Sequence, residues 1–207
     1  MSRVDVRKTH KLFIGGAFPR SESGRTYEVT DSKEQFLANM ALASRKDARD
    51  AVLAARSAVA KWSAATAYNR GQVLYRIAEV MEGRREQFIS EVSDSDGVSS
   101  RKAGAYVDAA IDRWVWYAGW ADKYAQVIGN TNPVAGPLFN FSVPEPTGVV
   151  AAVAPQDASV LGLVSVVAPI IVTDNAVIVM PSSSRPIPAI TLAECLATSD
   201  VPAGVVN

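Results

Sequence analysis

The chain of 207 residues has one cysteine, Cys195, and one histidine, His10. A single thiol excludes an internal disulfide. Nothing near His10 offers a metal partner, so no metal site is expected, and its place close to the N-terminus predicts a solvent-exposed ring. Neither sign of charge prevails, with 21 Lys and Arg against 21 Asp and Glu. That balance gives no electrostatic case for binding nucleic acid or an acidic membrane. A membrane-spanning run is also missing: the apolar stretch over residues 160–172 is too short to cross a bilayer and contains Pro169. Residues 1–8, Met-Ser-Arg-Val-Asp-Val-Arg-Lys, are charged where a signal peptide needs an apolar centre, so a cytoplasmic chain is expected.

What is present is the composition of a globular protein with a sizeable core, 48% hydrophobic and 20% charged. Residues 1–10 are polar and read as a loose arm. Residues 11–18, Lys-Leu-Phe-Ile-Gly-Gly-Ala-Phe, suit a strand, a turn and a second strand, and residues 27–30 a further short strand.

From Ser44 the period changes. Ala48, Ala51, Val52, Ala55, Ala58, Val59 and Trp62 recur at three- and four-residue steps, which predicts an amphipathic helix with Ser44 as its N-cap. Residues 69–82 repeat the pattern with Val73, Leu74, Ile77, Val80 and Met81 inward, and residues 84–92 make a third helix. Asp94-Ser-Asp-Gly97 then interrupts. Two carboxylates and a glycine suggest a calcium loop, but the later ligand positions are absent, and an interhelical turn is the better reading. Residues 103–124 form a fourth helix, rich in Trp and Tyr. The rings lack the basic groove that a nucleic-acid platform needs, so Ala110, Trp114, Tyr117, Ala118 and Ala121 read as a packing stripe.

Residues 128–144 are turn-rich and contain a strand in which Phe139, Phe141 and Val143 alternate with Leu138, Asn140 and Ser142, giving one apolar face. The run Gly148-Val-Val-Ala-Ala-Val-Ala154 has the character of a strand buried on both faces of a parallel sheet. Residues 160–172 suit a buried helix, and Ala176-Val-Ile-Val-Met180 repeats the strand signal. Strand, helix and strand with short connections make a βαβ unit. A last helix over residues 186–198 carries Pro188 near its first turn.

The order of residues here resembles the nicotinamide-dependent aldehyde dehydrogenases, whose stretch has the form E-P-x-G-V-V…P-W-N-F-P…A-P-A-L-A-x-G-N-x-V-V-x-K-P-A-E-x-T-P…P-x-G-V-x-N. The chain matches it at Glu145-Pro146, Gly148-Val149-Val150, Ala168-Pro169, Asn175, Pro181, Pro186 and Pro202-Ala-Gly-Val-Val-Asn207. The likeness extends upstream to about Lys11, and order and spacing carry it rather than any one dipeptide. It implies an α/β fold: N-terminal helices plus a partial doubly wound, Rossmann-like parallel sheet with a small β extension for oligomerisation. It divides the chain into an arm with short strands (1–43), a helical part (44–126), an oligomerisation-type strand segment (127–144) and the first half of a nucleotide-binding unit (145–207).

The resemblance also marks departures. The family's oxyanion asparagine corresponds to Asp157, which when ionised has no donor and would repel an oxyanion. The lysine and glutamate that bind the adenosine ribose correspond to Met180 and Ser183, and a glycine corresponds to Asp174. By position Ala154, Pro155, Met180, Pro181 and Ser183 form a degenerate site for NAD or NADP. The family's nucleophilic cysteine and glutamate base belong further downstream, and Cys195, among Ala and Leu, reads as a small core hydrophobe. Residues 205–207 match the start of the family's next strand. A two-stranded sheet with open edges would expose apolar surface, so either the chain is a fragment or another chain covers the edge. The favoured expectation is a truncated or inactive member that partners itself or an active aldehyde dehydrogenase, as a homo- or hetero-oligomer. The alternatives are an N-terminal fragment of an active enzyme, oxidising an aldehyde to an acid, and a decayed gene product.

Overall fold

The computed structural model describes residues 8–207. Most of the arm expected to be loose, including the charged N-terminus, lies outside the described residues. Three strands open the fold: β1 (Thr9–His10), β2 (Thr26–Thr30) and β3 (Phe36–Ala41). β3 pairs parallel to β1 and antiparallel to β2. Alternation puts Val29, Ala38 and Met40 inward. The strand, turn and strand expected over residues 11–18 contract to one bridge between Ile14 and Ala17. Gly15 and Gly16 form its turn at φ 60° and 75°, where a side chain would be strained. His10 corrects an expectation. It is 9% exposed, because β1 is drawn beside β3 and its ring is covered.

Five helices follow. α1 (Arg45–Ser63) starts in a capping box, Ser44 accepting from the amide of Asp47 while the Asp47 carboxylate accepts from that of Ser44. Its buried stripe is Asp47, Ala51, Ala55, Ala58 and Trp62; Ala48 and Val52, expected inward, lie on the exposed flank of this narrower stripe. α2 (Ala67–Gly83) buries Leu74, Ile77, Ala78 and Met81, with Val73 and Val80 at the margin. α3 (Arg85–Asp96) runs through the Asp94-Ser-Asp segment and stops only at Gly97, φ 64°. The break is therefore residues 97–99, and of the four expected residues only Gly97 lies in it. α4 (Ser100–Ala118) ends six residues before the expected limit, a turn intervenes, and α5 (Tyr124–Ile128) follows. Trp114, Ala110 and Ala121 are buried as the stripe requires.

An exposed hairpin, β4 (Asn130–Asn132) against β5 (Asn140–Ser142), leads into the parallel unit. β6 (Val149–Val153), α6 (Ser159–Val172) and β7 (Ala176–Met180) form the βαβ arrangement, with Val149 opposite Ala176 and Val153 opposite Met180. α6 continues through Pro169, and α7 (Ile187–Ala197) completes the layer. Residues 205–207 lie along the far side of β7, where the amides of Val177 and Val179 donate to the carbonyls of Val205 and Asn207 at 2.8 and 2.9 Å. The sheet is therefore not open on both edges: the spatial order is 205–207, β7, β6, the 3-2-1 half of a doubly wound sheet. β6 is not buried on both faces, since Val153 is 66% exposed; it is the edge strand, and the chain supplies no cover for its carboxyl end among the described residues. One core runs from Trp62, Leu74 and Phe88 through Trp114 and Val164 to Val177 and Leu196, so helices and sheet share it.

Two polar links fix the sheet against the helices. Asn175 accepts from the amide of Gly148 at 2.9 Å and donates to the carbonyl of Thr173 at 2.8 Å, pinning the start of β6 to that of β7. Asp174, at φ 70°, lies 2.6 Å from Arg70 Nε and accepts from the Tyr124 hydroxyl at 2.9 Å, and both ion-pair side chains are buried. The Arg70 Nε–H does not point along a hydrogen bond, so this contact is ionic attraction rather than a directed bond.

Removing one partner strands the other charge. Asp174→Asn is expected to lower unfolding stability by about 3 kcal/mol in urea titration. Restoring glycine as Asp174→Gly should also destabilise, and Arg70→Leu with Asp174→Gly should recover most of the loss. At His10, burial, aided by Lys8, pushes the ring's pKa below its usual 6.5. Neutral His10 is favoured by folding, so stability is full above pH 6.5 and falls as pH drops below it. His10→Gln should flatten that slope in denaturation curves taken between pH 5 and pH 8.

Candidate functional site

Ligands of open parallel sheets bind outside the carboxyl ends of the strands. Here those ends carry two loops, residues 154–158 after β6 and 181–186 after β7, and all the sequence-predicted site residues lie on them or at their edge. Ala154 is buried and its amide donates to the carbonyl of Met180 at 2.9 Å. Pro155 is exposed and packs on the first turn of α6, where a Cβ on Gly162 would meet it at 3.2 Å. This close approach favours glycine, because a side chain there would push Pro155 and the Asp157 carbonyl back by a few tenths of an ångström. Met180 is 59% exposed, Pro181 half-buried and Ser183 exposed.

Asp157 is fully exposed, and its carboxylate is 3.6 Å from Arg185 Nη1, a loose pair in water. These two are the only titratable side chains on the loops. The N-cap position of α6 is Ala158, φ 55°, which supplies no side-chain cap. Instead Asp96, from the end of α3, accepts from the amide of Ser159 at 3.1 Å. The carboxylate suits the positive end of the helix dipole, and the Asp94-Ser-Asp-Gly97 segment thereby acquires a structural task. A cavity of about 400 Å³ separates residues 183–185 from β2 and is lined also by Ser95 and Asp96. Among the described residues, no group of three or more His, Cys, Asp or Glu side chains is placed to hold a metal.

Gln156 is the residue that sequence reasoning missed. Its Nε2 donates to the carbonyl of Ala154 at 3.1 Å, its Oε1 accepts from the amide of Ser183 at 3.2 Å, and its own carbonyl accepts from the Ser182 hydroxyl at 3.3 Å. The available signal was a long amide side chain in the slot where the resembled family has tryptophan. For a dinucleotide the fit is poor. Met180 offers no donor, the Ser183 amide is engaged by Gln156, and the first amide of α6 is engaged by Asp96. Cys195 stands apart, on α7. It is fully buried, burial pushes its thiol up to about 11, and Arg84 Nη1 lies 4.0 Å from the sulfur.

Comparisons with known proteins agree with this architecture. The model of the aldehyde dehydrogenase family matches residues 18–207. The cytosolic 10-formyltetrahydrofolate dehydrogenase of Pongo abelii is 31% identical over 215 residues, covering 100% of this chain and 24% of that protein. Aldehyde dehydrogenase, cytosolic 1, of Elephantulus edwardii is 31% identical over 214 residues, covering 100% of this chain and 42% of that protein. The chain thus spans between a quarter and two-fifths of the length of these relatives. Among solved structures, the NAD+ complex of an aldehyde dehydrogenase from Bacillus cereus superposes with a TM-score of 0.92 at 27% identity, over 97% of this chain and 41% of that one. A salicylaldehyde dehydrogenase from Pseudomonas putida G7, complexed with salicylaldehyde, gives 0.90 at 26% identity, over 98% of this chain and 41% of that one.

The burial of Cys195 is directly measurable. The folded chain at pH 8 is expected to resist an aromatic disulfide reagent, with thiol release only as fast as unfolding, and to react within seconds in denaturant. Fast labelling of the folded chain would contradict the packing of α7.

Proposed function

The chain belongs to the aldehyde dehydrogenase family, and from that premise we propose that it is a catalytically silent member whose work is structural, as a partner of another subunit. The observation that carries the reading is Asp157. It stands where the family resemblance puts a donor amide, is fully exposed, and faces only Arg185. A carboxylate about 4 Å from a developing oxyanion opposes it by roughly 1 kcal/mol in water and 4 kcal/mol at the dielectric of a protein surface, where the amide would have helped. The replacement of the ribose-binding lysine and glutamate by Met180 and Ser183 acts in the same direction, on NAD and NADP alike.

The partner side of the reading rests on the β4–β5 hairpin. Leu138, Phe139, Phe141 and Val143 are 73%, 77%, 59% and 63% exposed, and the two phenylalanine rings meet at 5.5 Å, tilted by 36°. An apolar strip of this kind marks an interaction surface. Its occupant in this reading is the sheet of a second subunit, either another copy or an active aldehyde dehydrogenase. The working place is the cytoplasm, in line with two relatives whose names call them cytosolic. Among the described residues no helix is long and apolar enough to cross a membrane.

Two measurements test the proposal. Titration with NAD, followed by tryptophan fluorescence and calorimetry, is expected to show no saturation up to about 1 mM, whereas binding near 1 μM, about 8 kcal/mol, would overturn the silent reading in favour of a segment of an active dehydrogenase. Sedimentation of the wild-type chain, alone and mixed with a full-length aldehyde dehydrogenase, should show association that Phe139→Asp with Phe141→Asp abolishes. Both positions are exposed, so the variant should keep its helical circular dichroism; association unchanged by it would remove the hairpin from the proposal.

A further inference from the structure

We propose that Gln156 is a built-in occupant of the crevice: its side chain fastens the loop after β6 to the loop after β7, so that the two are held by the chain itself and not by a nucleotide. The inference rests on the silent reading above and deepens it, because it states what has taken the ligand's place.

The geometry is that of a cross-link. One terminal amide reaches both loops, donating to Ala154 on one and accepting from Ser183 on the other. The Gln156 carbonyl takes a second set of donors from the far loop, the Ser182 hydroxyl at 3.3 Å and Arg185 Nη1 at 3.5 Å. Arg185 also faces Asp157. Ala154 and Ser183 are two of the positions expected to hold a cofactor, and Gln156 engages the carbonyl of the first and the amide of the second. Glutamine is suited to this because its terminal group is donor and acceptor at once, on a side chain long enough to span the gap. Aspartate or glutamate would offer acceptors only and would repel the carbonyl of Ala154. A ligand lying across both loops would have to break the Gln156 to Ser183 bond before reaching that amide. The lock is thus also a cost to any nucleotide.

Amide hydrogen exchange at Ser183 reads the lock directly. In the wild-type chain the Ser183 amide is expected to exchange more slowly than that of Ser184. Gln156→Ala should raise the Ser183 rate roughly tenfold, the loss of one hydrogen bond of ordinary net strength, and leave rates in β7 and α6 unchanged. Gln156→Asn, one methylene shorter, should do the same, which separates reach from chemistry. Unchanged rates in α6 and β7 certify that either variant is folded. Equal Ser183 exchange in wild type and both variants overturns the inference and leaves the silent reading standing. Saturable NAD binding by the wild-type chain overturns that reading through a different measurement.

Discussion

A buried guanidinium and a buried carboxylate cannot be moved apart without leaving a charge in a poor solvent, and the relation between the helical part and the sheet depends on one such pair. Arg70 belongs to α2, Tyr124 to α5, and Asp174 to the short turn between α6 and β7. A buried pair of this kind adds little net stability over an apolar replacement, while breaking it costs several kcal/mol. Its effect is therefore to exclude alternative arrangements. Next to it Asn175 holds the start of β6 by the amide of Gly148. Two adjacent side chains thus settle how the helices meet the sheet and how the two strands are aligned. The position of Asp174 at φ 70° favours glycine, so the side chain is retained there at a conformational cost that its two partners offset.

With the strands aligned, their carboxyl ends fall side by side, and the chemistry of the loops decides what the crevice can do. A nucleotide-binding crevice offers unpaired donors to phosphate and ribose. Here three such donors already have partners within the chain. The first amide of α6 goes to Asp96, the Ser183 amide to Gln156, and the Ser182 hydroxyl to the Gln156 carbonyl. Met180 contributes an exposed thioether in place of a cation. Each change alone would weaken a ligand; together they leave the Ser183 amide, the Ser182 hydroxyl and the first amide of α6 bonded within the chain, which is the chemical ground of the proposed silent reading.

Much of this was legible in the chain. The helices follow from the spacing of Trp62, Leu74, Ile77 and Met81, and the parallel unit from two apolar runs flanking a helix-length segment, because these signals are local. What was not legible depends on distant partners. β3 has the sequence Phe-Leu-Ala-Asn-Met-Ala, in which small and polar residues hide the alternation, and it is a strand because β1 and β2 flank it. His10 is buried by those same neighbours. Gln156 reaches Ser183 across 27 positions, and no periodicity reports a single hydrogen bond of that span.

β6 presents the opposite case, a local signal that is correct about the residues and wrong about their surroundings in this chain. Its composition is that of a strand covered on both sides, yet Val153 and its neighbour in register, Met180, are 66% and 59% exposed. The phenylalanines of the hairpin pose the same problem on a different element. Isolated apolar residues on a surface need no explanation, but aligned ones on an open strand edge and on a projecting hairpin constitute pairing surfaces with unfilled hydrogen-bonding capacity. Burying about 100 Å² of such surface is worth roughly 2.5 kcal/mol, so cover at either place lowers the free energy by more than any single polar contact in the crevice. By this measure contact with another sheet would bury more than the crevice can, which is the energetic argument behind the proposed structural role.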